Sequence, residues 1–65
     1  MPTISYIDND LNEGVLLRFA ATDNYDLAVK SLNNLAKKWN MRFVKDESLF
    51  GGYYVREDGI CYFVK

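Results

Sequence analysis

Apolar and polar residues alternate over Ile4 to Asp8 and again over Val15 to Ala21, the period-two pattern of strands that bury one face. The polar run Asn9-Asp10-Leu11-Asn12-Glu13-Gly14 between them predicts a connecting loop ending in glycine. Alternation puts Val15, Leu17, Phe19 and Ala21 on one side of the second strand, the expected core side, and Leu16, Arg18 and Ala20 on the other.

The period then changes. Thr22-Asp23-Asn24 is a helix-start signal, with Asp23 or Thr22 as the expected cap and Asp26 in the first turn, where a negative charge opposes the helix dipole. A helix is predicted from about Asn24 to Trp39. Its apolar stripe is Tyr25, Ala28, Val29, Leu32, Leu35, Ala36 and Trp39, and Leu27 alone interrupts the polar side. Lys37 and Lys38 suit the last turn, and Asn40 suits a left-handed terminator.

Met41 to Lys45 predicts a third strand, and Asp46 to Gly52 a loop. Tyr53 to Glu57 and Ile60 to Lys65 predict a hairpin about Asp58-Gly59, a dipeptide suited to a type I′ turn. A two-residue turn there pairs Arg56 with Cys61, Val55 with Tyr62 and Tyr54 with Phe63. Tyr53, Val55, Ile60, Tyr62 and Val64 then share one face, and Tyr54, Arg56, Cys61, Phe63 and Lys65 the other.

The expected fold is therefore α+β: a single domain over residues 1–65, in two layers, with element order ββαβββ. One amphipathic helix packs on one face of a largely antiparallel five-strand sheet. A single helical stripe covers one sheet face only. The richer apolar set belongs under the helix, which leaves an open face carrying Arg18, Arg42 and Arg56, all the arginines of the chain, beside Leu16, Val44, Tyr54 and Phe63.

Composition narrows the class. A 65-residue chain holds one small core, and ten aromatic residues (Trp 1, Tyr 5, Phe 4) with 49% hydrophobic residues argue against disorder. One cysteine, Cys61, excludes an internal disulfide, and the N-terminal residues lack the pattern of a signal peptide, so a soluble cytoplasmic protein is expected, with no membrane span. Net charge is −1, yet acidic residues dominate up to Val29 and basic residues beyond it, which makes a charge dipole able to orient a partner.

Candidate chemistry is sparse. Histidine is absent, which removes the commonest general base and metal ligand, and no nucleophile–base pair or phosphate-cradling loop is present. The expectation is a non-enzyme with no cofactor and no metal. Asp8, Asp10 and Glu13 lack the glycine and terminal glutamate of a hand-type calcium loop. Phe50-Gly51-Gly52-Tyr53-Tyr54-Val55-Arg56 resembles the glycine-aromatic strand of RNA-recognition domains, but that family requires a βαββαβ order with a second helix, which this chain is too short to supply.

The arginine-aromatic face is the sharpest feature. Arg18, Arg42 and Arg56 with the apolar anchors Tyr54 and Phe63 form the candidate partner-binding set, because arginine supplies directional donors and aromatics supply rigid contact area. The expected function is a small protein-binding module that blocks or modulates a larger intracellular protein or nucleoprotein complex. Its size and its Asn-, Asp-, Tyr- and Lys-rich composition fit a phage- or plasmid-type inhibitor of host machinery, such as a CRISPR or other defence nuclease complex. The alternative is a nucleic-acid-binding regulator using the same face. A third reading is a homodimer made by stacking two open sheet faces.

Overall fold

The computed structural model describes residues 1–65. Five strands, β1 (Thr3–Ile7), β2 (Glu13–Arg18), β3 (Arg42–Asp46), β4 (Gly51–Val55) and β5 (Cys61–Val64), form one sheet in the order β2-β1-β5-β4-β3. Every neighbouring pair is antiparallel. The helix α1 (Tyr25–Lys38) lies between β2 and β3 in sequence, so the expected α+β class and the ββαβββ order hold. A short 3-10 turn over Glu47–Leu49 links β3 to β4. No helix is long and apolar enough to cross a membrane.

The helix starts one residue later than the charge pattern suggests. Asn24, rather than Asp23 or Thr22, caps it, its side chain accepting from the Leu27 N–H at 3.2 Å. Thr22 instead braces the cap by accepting from the Asn24 N–H. At the other end Asn40 adopts the expected left-handed conformation, φ 53°. Ala28, Leu32 and Ala36 are the buried ridge of α1, and Ala28 and Leu32 join Ile4, Tyr62 and Val64 in the core. Small residues at 28 and 36 let the helix backbone settle close to the central strands β1 and β5.

Two details of register depart from simple alternation. In β2 the partner of Ile4 is Leu17 while that of Ser5 is Val15, so Leu16 is an extra, bulged residue. The bulge sends Val15 to the face away from the helix, where unbroken alternation had put it with Leu17 in the core. The β4–β5 connection is the second correction. Tyr54 pairs with Tyr62 and Val55 with Cys61, one residue out of step with a two-residue turn.

The longer turn has a clear cause. Arg56 and Ile60 close the loop through Arg56 N–H to Ile60 O (3.0 Å), while Gly59 N–H returns to Arg56 O (2.9 Å) with Gly59 at φ 86°. This is a three-residue turn with a glycine bulge. Asp58 holds it from inside, its carboxylate accepting from the Ile60 N–H and from the Arg56 side chain, while Asn9 donates to the Asp58 carbonyl at 2.8 Å. The slip exchanges the two faces of β4: Tyr54 and Arg56 come under the helix layer, and Tyr53 and Val55 turn to the open face.

Candidate functional site: a groove between the helix and the outer hairpin

The expected arginine-aromatic face does not assemble. Arg18 on β2 and Arg42 on β3 both face away from the helix, but they sit on the two outermost strands with three strands between them. Arg56 is on the opposite face, its guanidinium 4.7 Å from the centre of the Trp39 ring and 5.3 Å from that of Tyr62. It also makes a salt bridge with Asp58 at 2.6 Å. Tyr54 shares that helix side, and Phe63, though on the open face, is buried. Two cations at opposite edges and a buried phenylalanine make no common contact surface. Sequence reasoning missed this because the hairpin register, one residue wide, decides the face of Tyr54 and Arg56 together.

What the structure does assemble lies on the helix side. Helix α1 crosses β1 and β5 and leaves the β3–β4 hairpin uncovered, opening a groove of about 290 Å³ along its flank. Val29, Leu32 and Asn33 form the helical wall; Phe43, Gly52 and Tyr54 form the sheet wall; Leu49 and Phe50 close one end. The lining is mostly apolar, and two of its aromatics, Phe43 and Phe50, are 52% and 54% exposed.

Each wall residue is held by a local device. Phe43 reaches across the hairpin because Gly52 has no side chain: a Cβ there would collide with the Phe43 ring and the Val44 carbonyl. The ring also meets Tyr54 at 5.1 Å, tilted by 58°. The Tyr54 hydroxyl donates to the Asn33 side-chain oxygen, tying the helix to the floor of the groove and putting one polar handle in an apolar cleft. Phe50 is held by the backbone itself. It sits in the left-handed region at φ 51°, ψ 42°, an unfavourable place for a bulky residue, and stacks on Tyr25 at 4.6 Å with an interplanar angle of 15°. Gly51 at φ 102° continues the sharp turn that aims the ring outward.

The loop leading to Phe50 is braced electrostatically. Asp46 accepts from both the N–H and the hydroxyl of Ser48, at 3.0 and 2.7 Å, and those bonds lower its carboxyl pKa. A half-exposed apolar cleft with aromatic rims and one internal hydroxyl–amide pair can bind an apolar side chain or a short peptide segment. It contains no group placed to activate a nucleophile. The sequence signal was present in the run Leu49-Phe50-Gly51-Gly52, where apolar residues meet two glycines in a loop.

The open sheet face is a second, shallower apolar surface. Ile7, Leu49, Tyr53, Cys61 and Phe63 line a hollow of about 240 Å³ there. Leu49 of the 3-10 turn meets the strand residues there, and Phe63 is buried.

No protein-family model, curated protein or solved structure matches this chain. The geometry of the groove therefore carries the functional reading.

Proposed function

We propose that the chain is a small non-enzymatic protein-binding module that uses the groove between α1 and the β3–β4 hairpin to hold an apolar segment of a larger partner. The observation that supports this reading is Phe50, a bulky residue kept half exposed in a left-handed backbone conformation at the groove's rim. Strain of this kind costs on the order of 1 kcal/mol, and it is kept where a side chain must be presented in a fixed direction. Phe43 at 52% exposure supplies a second rigid anchor on the other wall. The partner would gain aromatic contact area, with the Tyr54–Asn33 pair setting orientation.

Steric occupation is the mechanism in this reading. A module of this size bound at a working surface blocks or modulates its partner without chemistry of its own. The setting is taken to be cytoplasmic, in keeping with the single thiol of Cys61.

The test is affinity capture of the tagged chain from cell lysate, with and without nuclease. It is run beside Phe43→Ala/Phe50→Ala and Arg18→Glu/Arg42→Glu variants whose fold is verified by circular dichroism. A stoichiometric protein that survives nuclease and is lost only with the phenylalanines supports the groove. Capture that depends on nucleic acid and on the two arginines would replace it with the nucleic-acid-binding alternative. The identity of the captured protein decides the narrower reading, an inhibitor of a defence nuclease complex.

A further inference from the structure

The two edges of the sheet are guarded differently. The β3 edge carries Arg42, Lys45 and Asp46, charges of the kind that discourage pairing with another strand. The β2 edge carries three consecutive apolar residues, Val15, Leu16 and Leu17, at 41%, 43% and 47% exposure, with Glu13 and Arg18 at the two ends. Apart from the bulge at Leu16, the middle of this edge carries no charge, proline or covering element, and such an apolar edge strand is a template for pairing.

From the order of charges along β2 we infer that this edge pairs with the β2 edge of a second copy of the chain. The result is a continuous ten-strand antiparallel sheet with both helices on one face. The register follows from the faces. A two-fold axis passing between Val15 and Leu16 sets Glu13 opposite the second copy's Arg18, and both residues lie on the face away from the helix, as their partners Ile7 and Thr3 show. The same axis sets Gly14 opposite the second copy's Leu17, both on the helix side, as their partners Tyr6 and Ile4 show. At the axis Val15 lies opposite the second copy's bulged Leu16, and Leu16 opposite its Val15. The pairs on either side of the axis each combine residues of one face, and both ends carry opposite charges.

Two further observations fit this occupant. Arg18 makes no ion pair within its own chain, and Glu13 meets only the exposed Lys65, at 2.9 Å through one carboxylate oxygen, which leaves its other oxygen for a guanidinium. Gly14 leaves room that the Tyr6 ring occupies, so the second copy's Leu17 would land on an aromatic surface.

The test is sedimentation velocity of the full chain from about 1 µM to about 1 mM, the range in which a small interface of this kind associates. The expected result is a concentration-dependent dimer. Arg18→Glu, which places like charges opposite each other twice, should weaken it by at least about tenfold. The double variant Glu13→Arg/Arg18→Glu should restore it, with circular dichroism unchanged throughout. A chain that stays monomeric over the whole range overturns the inference. So does a dimer that ignores Arg18→Glu, that the double variant fails to restore, or that is lost instead on Val44→Lys, which would point to stacking of the open faces.

Discussion

The guanidinium of Arg56 lies over the Trp39 ring, 4.7 Å from its centre, and so joins the end of the helix to the β4–β5 turn, while the same side chain holds Asp58. Arginine is suited to this position because a planar cation can stack on an aromatic face and donate in its plane at once. Arg56→Ala should lower the thermal unfolding midpoint by several degrees, and Arg56→Lys should recover only part of the loss, because a lysine keeps the charge but not the planar contact. Circular dichroism melts of the two variants beside the native chain check this. Equal midpoints for lysine and arginine would reduce the contact to charge alone.

Hydrogen bonding at two carboxyls and burial of one phenol make the fold respond to pH. The Arg56 hydrogen bond holds the Asp58 carboxyl below its ordinary pKa, and the Ser48 hydrogen bonds do the same for Asp46. A carboxyl depressed in the folded state stabilises the fold above its ordinary pKa, about 4, and that contribution disappears as pH falls through the lowered value. Burial acts on Tyr62 in the opposite direction, raising its phenol. Its contribution is complete below the ordinary tyrosine pKa, about 10, and is lost as pH rises through the raised value. Denaturant unfolding across pH should show a plateau with an acid and an alkaline limb. Asp58→Asn should flatten the first, and Tyr62→Phe the second.

Two glycines face ring systems and should respond unequally to alanine. At Gly52, φ 154°, a Cβ would meet the Val44 carbonyl, which cannot move without breaking the β3–β4 ladder. Gly52→Ala should cost about 2 kcal/mol or more. At Gly14 the obstacle is only the mobile end of Tyr6, so Gly14→Ala should cost less. Chemical denaturation of both variants orders them; the reverse order would mean that the Phe43 ring and not the backbone fixes the Gly52 site.

The contrast between these elements shows how far the sequence could be read. The helix was legible because its apolar stripe repeats over four turns, and every buried residue of α1 belongs to that stripe. The strands and their order along the chain followed from alternation and glycine-containing loops. Which face each residue takes is a finer matter, decided by single residues. Leu16 is a bulge because β2 carries one residue more than its partner, and the Arg56–Asp58–Ile60 hydrogen bonds fix a three-residue turn where Asp-Gly alone suggested two. Both are choices among nearly equal local conformations: pairing with β1 decides the first, and side-chain hydrogen bonds within the turn, braced by Asn9, decide the second. The candidate site suffered accordingly: Arg18 and Arg42 were correctly put on the open face, while Tyr54 and Arg56 moved to the other side. The groove depends on which strands the helix leaves bare, a matter of sheet order that no local pattern encodes.

Phe50 should separate stability from binding. Glycine at this position removes the left-handed penalty but also the stacking on Tyr25, two effects of about 1 kcal/mol with opposite sign. Phe50→Gly should therefore leave the unfolding free energy within about 1 kcal/mol of native, while capture of the partner falls sharply. A variant that binds as well as the native chain would relieve Phe50 of any role in recognition and leave its strained backbone unexplained.

The central claim is that the groove, and not the open sheet face, is the contact surface. Its most direct test is nuclear magnetic resonance of the isotope-labelled chain titrated with the protein recovered by affinity capture. The account predicts that amide shifts and line broadening concentrate at Val29, Asn33, Phe43, Phe50, Gly52 and Tyr54, the residues that face the groove. Changes concentrated instead at Arg18, Arg42, Val44 and Tyr53, with the groove unperturbed, would contradict it and return the interface to the open face of the sheet.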